Sequence, residues 1–109
     1  MTIVYLPEVY DYLEELAYTL FKKGYFAYLE TAKEYVDSIV DYTNNYIINC
    51  VKHKAPPYFK RFGKNMQYIT YRPNRKTTWY IFFQTKDERF LVRYITNNHA
   101  KGHHIRGLR

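Results

Sequence analysis

Residues 76–99 constrain this chain more than any other stretch. They open with Thr77-Thr78-Trp79-Tyr80-Ile81-Phe82-Phe83-Gln84 and break at Thr85-Lys86-Asp87-Glu88-Arg89. They resume with Phe90-Leu91-Val92-Arg93-Tyr94-Ile95-Thr96 and end in Asn97-Asn98-His99. β-Branched and aromatic side chains pack well on a pleated, half-buried surface, and they fill both runs. With a short polar break between them, the two runs predict a β-hairpin. The first run is apolar on both faces, which predicts a central strand. In the second, alternation places Leu91, Arg93 and Ile95 on one face and Val92 and Tyr94 on the other. Periodicity alone does not say which face is covered.

The upstream half reads as that cover. Residues 2–6 form a short strand stopped by Pro7, which suits the first turn of a helix. Over 8–22, Val9, Leu13, Leu16, Ala17 and Leu20 recur at spacings of three and four, the face of an amphipathic helix. Acids crowd its start and Lys22-Lys23 its end, the order the helix dipole favours, and Gly24 is the expected stop. A second helix is predicted over 26–47, with Leu29, Ala32, Val36, Ile39, Val40, Thr43 and Ile47 inward. Tyr28, Tyr35 and Tyr42 repeat every seven residues and are expected to pack against the first helix. Residues 49–64, with the Pro56-Pro57 pair, read as a linker, because proline forbids helix and discourages strand. Residues 66–71 form a further strand, followed by the basic turn Arg72-Pro73-Asn74-Arg75-Lys76. The expected fold class is α+β, in the order β-α-α-β-β-β: a helical hairpin on a small, mainly antiparallel sheet. At 109 residues the expectation is a single domain, 1–109.

Charge divides the chain in two. Residues 1–50 carry 3 Lys/Arg against 8 Asp/Glu, a net −5, and residues 51–109 carry 14 against 2, a net +12. A basic half on a small chain is the electrostatic footprint of a nucleic-acid or other polyanion binder. No apolar run approaches the ~20 residues of a membrane span. The N-terminal residues lack the pattern of a signal peptide, and the single Cys50 suits a reducing compartment, so a cytoplasmic location is expected.

The basic half has only Asp87 and Glu88 as acids, both in a turn, which argues against paired-carboxylate or two-metal chemistry. There is no glycine-rich phosphate loop. Of the four histidines, His99 follows the last strand directly, so the sheet should fix its backbone. Histidine titrates near neutral pH and can both take and give a proton. No Cys, Asp or Glu stands near His99, His103 and His104 to complete a metal shell, so neither metal nor cofactor is expected. Arg72, Arg75, Lys76 and Arg93 are the cations expected to share the sheet's open side, where arginine can fork onto phosphate oxygens. Tyr68 and Tyr94, on neighbouring strands, are candidates to stack unpaired bases.

The order of elements resembles the RelE/ParE toxin superfamily of bacterial type II toxin–antitoxin systems, over nearly the whole chain. The likeness is carried by Tyr5-Leu6-Pro7, Lys22-Lys23-Gly24-Tyr25-Phe26, the segment 52–62, Thr77-Thr78-Trp79-Tyr80-Ile81-Phe82-Phe83 and Val92-Arg93-Tyr94-Ile95-Thr96-Asn97-Asn98-His99. The resemblance implies one of two activities. RelE-like members cut mRNA in the ribosomal A site without a metal; ParE-like members inhibit DNA gyrase and are not nucleases. Both are held inactive by an antitoxin, whose toxin-binding segment is expected to be acidic here. In the ribonuclease case His99 would be catalytic, with Arg93 and His103, while Arg72, Arg75, Lys76, Tyr68 and Tyr94 would bind RNA. The chain departs from the ribonuclease pattern in two places. Tyr68 and Thr70 fall near the positions where the ribonuclease members carry second-strand lysines, and Thr78-Trp79 near the position of their central-strand arginine.

Overall fold

The computed structural model describes residues 1–100 and 107–108. Its elements are β1 (Thr2–Tyr5), α1 (Pro7–Lys22), α2 (Leu29–Tyr46), β2 (His53–Lys54), a 3-10 helix (Pro57–Phe62), β3 (Gln67–Tyr71), β4 (Trp79–Lys86) and β5 (Arg89–Asn97). They build an α+β fold, two helices packed on a five-stranded mixed sheet in the order β1-β5-β4-β3-β2. β1 runs parallel to β5, and every other pairing is antiparallel. β4 takes the centre, as its two-sided apolar run requires, and Trp79, Tyr80, Ile81, Phe82 and Phe83 are all buried.

The central hairpin is tighter than its polar break suggested. β4 and β5 pair down to Lys86 opposite Arg89, which leaves Asp87-Glu88 alone as the loop. Both residues have positive φ, 51° and 60°. Two successive left-handed residues make the turn whose twist matches that of the flanking strands.

The register shifts between Phe82 and Phe83: Phe82 faces Tyr94, while Phe83 faces Val92. Arg93 is therefore the extra residue of a β-bulge. Val92 and Ile95 both join the core beneath the helices, and Tyr94 packs with Phe82 on the opposite face. Strict alternation, which would group Val92 with Tyr94 and oppose Ile95, fails at this one residue.

The helices follow their apolar periodicity. α1 buries Val9, Leu13 and Ala17, and α2 buries Ala32, Val36, Ile39 and Thr43. Fully removing a side chain such as Ile39 or Phe83 from water contributes ~2 kcal/mol. The buried Thr43 hydroxyl donates to the Ile39 carbonyl at 2.8 Å, so it adds no unsatisfied polar group. Gly24, at φ 83°, ends the first helix in the left-handed conformation that glycine adopts without penalty. The tyrosine stripe packs on the sheet rather than on α1. Tyr35 accepts a hydrogen bond from Trp79 Nε1 at 2.9 Å, and Tyr42 stacks on Tyr71 at 4.6 Å. Tyr28 is exposed.

The segment 49–64 is more than a linker. Its first residues add β2 to the sheet edge, and the 3-10 helix begins at Pro57, where the missing N–H is not needed. This helix covers the sheet face that the long helices leave open. Phe59 is fully buried and stacks on Phe82 at 4.1 Å, while Phe62 stacks on Tyr94 at 4.3 Å. Leu108, near the end of the chain, packs on the same aromatic cluster. Among the described residues no helix is long and apolar enough to cross a membrane.

Candidate functional site

The last rung of the β4–β5 ladder pairs Trp79 with Asn97. Beyond it, side chains take over from the backbone. The Asn98 N–H donates to the Thr78 carbonyl at 3.1 Å, and the Thr78 N–H donates to Asn98 Oδ1 at 3.0 Å. Asn98 Nδ2 reaches on to the Lys76 carbonyl at 2.9 Å. In the loop before β4, Asn74 Oδ1 accepts from the N–H groups of Lys76 and Thr77, each at 2.9 Å. The 72–78 loop and the end of β5 are thus tied into one unit.

His99 sits on that unit. Its N–H donates to Asn97 Oδ1 at 2.8 Å, and its Nε2 lies 3.1 Å from the Thr77 hydroxyl. The residue is exposed. β5 ends at Asn97, so the Asn97 side chain rather than a rung of the sheet holds the backbone of His99, and Thr77 holds the ring.

The basic loop lies beside it. Arg72 Nε donates to Thr78 Oγ1 at 3.0 Å, which brings this cation to the same end of the sheet. Burial raises the Tyr80 phenol above its ordinary range, with Tyr68 adding to the shift and the nearby Arg72 cation opposing it. Arg75 and Lys76 are exposed on the loop. His99, Arg72, Arg75 and Lys76 share one rim, which can present several cations and one proton-transfer group to an extended polyanion.

Arg93 does not belong to that rim. It lies inside β5, four residues before that strand ends at Asn97, whereas His99 stands in the turn beyond. Its Nη1 donates to Gln84 Oε1 at 2.9 Å, and Gln84 Nε2 donates to the Lys64 carbonyl at 2.7 Å. Gln84 pairs with Leu91, so its bond to Arg93 draws that guanidinium toward the hairpin turn and away from the strand end where His99 sits. Tyr68 is not a stacking platform in this fold, because only 2% of it is exposed. Its ring lies among His53, Tyr80 and Phe82. Tyr94 is half-buried, and Phe62 covers one side of it. His103 lies outside the described residues, as does His104.

Sequence reasoning passed over Thr77, Asn98 and Arg61. The first two flank the hairpin's open end in the sequence, but only the folded chain shows that Thr77 meets His99 and that Asn98 bonds the backbone of Lys76 and Thr78. Arg61 sat in a segment read as a linker. Comparison with protein-family models, with curated proteins and with solved structures finds no match.

Proposed function

We propose that this chain is the toxin of a bacterial type II toxin–antitoxin pair, acting in the cytoplasm as a metal-independent mRNA endoribonuclease on the ribosome. One observation carries the reading: an exposed His99, oriented by Thr77, stands at the end of β5 beside the cationic loop of Arg72, Arg75 and Lys76. The order of elements that the superfamily resemblance implies supports it. So does the +12 balance of residues 51–109 (14 Lys/Arg against 2 Asp/Glu).

In this reading the 2′-hydroxyl of one nucleotide attacks the adjacent phosphorus. His99 takes the hydroxyl proton as the new P–O bond forms. The P–O5′ bond breaks, and the leaving oxygen gains a proton, leaving a 2′,3′-cyclic phosphate and a 5′-hydroxyl. Arg72, Arg75 and Lys76 bind phosphate oxygens along the strand and stabilise developing charge. The cognate antitoxin would mask this rim with an acidic segment.

The test is purified protein on programmed ribosomes, alongside induced expression in a bacterial host with mapping of mRNA 5′ ends. His99→Ala should lower cleavage by ~10²- to 10⁴-fold, the usual contribution of a positioned acid or base. Unchanged cleavage in that variant sinks the assignment. No growth arrest by the wild type removes the toxin reading.

A second reading is a ParE-like toxin that binds gyrase without cutting RNA. It is favoured by the separation of Arg93 from His99, which leaves the scissile phosphate with fewer cations. The exposed Tyr10, Tyr25 and Tyr28 on and between the helices offer it a contact surface. Growth arrest with inhibited supercoiling and intact mRNA would select it.

A further inference from the structure

A cleft of about 430 Å³ opens between the start of α1, the 3-10 helix and the bulge in β5. Arg61 borders it from the 3-10 helix and Arg93 from the bulge. Each is held from behind. Arg61 Nε donates to the Tyr58 carbonyl at 2.9 Å, and its guanidinium lies 3.7 Å from the centre of the Tyr58 ring. Arg93 is anchored by its 2.9 Å bond to Gln84. Among the described residues neither cleft arginine forms an ion pair, and the pair that does form joins Arg89 and Asp87 at the hairpin turn. Two pre-oriented guanidinium groups, neither in an ion pair among the described residues, suit an oxyanion that can accept a fork of N–H donors.

The rest of the lining narrows the anion's carrier. Phe62 and Tyr94 stack at 4.3 Å with an interplanar angle of 12° and form an aromatic wall. From α1 come the Glu8 carboxylate, an acceptor, and the Tyr12 hydroxyl. Burial of that hydroxyl end, with Tyr94 adding to it, pushes the Tyr12 phenol up to about 12, so it remains a donor at neutral pH. A bare phosphate would use only the arginines. A polyphosphate would bring further negative charge toward Glu8.

We propose that this cleft binds one nucleotide unit, with its phosphate on Arg61 and Arg93 and its base against the Phe62–Tyr94 wall, the base edge meeting Glu8 and Tyr12. The unit is a nucleoside monophosphate or one residue of a single-stranded RNA, which present the same chemistry. The cleft is separate from His99 and does not depend on cleavage there.

The test is calorimetric titration of the full chain with AMP, ADP, inorganic phosphate and a five-nucleotide single-stranded RNA. AMP should bind at least about tenfold more tightly than inorganic phosphate, as expected where stacking adds to charge. Arg61→Ala, at an exposed position, and Arg93→Lys, which keeps charge but loses the fork, should each weaken AMP by about tenfold. Glu8→Gln should narrow the preference for AMP over ADP. His99→Ala should bind AMP like wild type, whatever it does to cleavage. RNA binding that is sensitive to Arg61→Ala, without measurable AMP binding, would identify the strand as the source. Phosphate binding as tight as AMP, or nucleotide and RNA binding untouched by Arg61→Ala, would overturn the site, and neither result bears on His99.

Discussion

Gly63 sits at φ 155° and ψ 163°, backbone that residues with a Cβ rarely adopt. A Cβ there would stand 2.6 Å from Gln84 Nε2. Gln84 is the link between Lys64 and Arg93, so this glycine admits the side chain that holds the bulge arginine. Gly63→Ala should destabilise the fold by about 1–2 kcal/mol from backbone strain, read from the urea unfolding midpoint. It should also weaken AMP at the cleft, because displacing Gln84 frees Arg93. On the opposite rim, Thr77 acts through His99. Thr77→Val removes the 3.1 Å contact and should slow RNA cleavage by about 3- to 10-fold, the worth of one hydrogen bond. Thr77→Ser should restore the rate, and the valine variant should shift the pH–rate profile. A purely structural threonine would do neither.

At the scale of elements, the hairpin turn carries a local conflict. Asp87 and Glu88 both occupy left-handed backbone, and glutamate is poorly suited to it. Glu88→Gly should stabilise the fold by about 1 kcal/mol, seen as a higher urea midpoint with unchanged slope. The same hairpin shows what a sequence conveys and what it conceals. Both helices and the central position of β4 were legible, because each rests on periodicity or on a punctuating Pro or Gly. The bulge at Arg93 was not. Alternation carries no mark where an extra residue is inserted, and the error moved Ile95 and Tyr94 to the wrong partners. The 3-10 helix was hidden for a different reason. Its prolines read as breakers, yet a proline opens a helical turn as readily as it ends one. With that cover unseen, Tyr68 looked like an exposed ring and Arg61 like a linker cation. Arg93 and His99 were grouped because they fall in one run of sequence, whereas Arg93 is held by Gln84 and His99, past the strand's end, by Thr77 and Asn97.

Across the whole molecule, tyrosine burial and charge asymmetry set the response to solution conditions. Burial raises the Tyr5 phenol well above its ordinary range, and burial beside Cys50 pushes Tyr42 up to about 12. Each binds its proton more tightly folded than unfolded. The contribution to stability is therefore complete below the ordinary value of 10.0 and is lost as pH rises through the folded values. Urea midpoints should be flat between pH ~7 and ~9 and fall steeply above ~10, and a midpoint that holds to pH ~11 would contradict the assignment. Charge asymmetry gives the final test. If Arg72, Arg75 and Lys76 each neutralise a phosphate of single-stranded RNA, counterion release sets the logarithmic salt dependence of binding at about −2 for the rim. Removing one such cation should then lower the slope by about 0.7, whatever the RNA sequence. Arg75→Ala is the cleanest choice, since Arg75 is exposed and Arg72 is bonded to Thr78. Arg61→Ala should subtract a similar amount only for RNA long enough to run from the rim to the cleft. A trinucleotide and a decanucleotide should therefore differ in their response to Arg61→Ala but not to Arg75→Ala. Equal responses from both lengths would mean that the two basic sites do not share a strand.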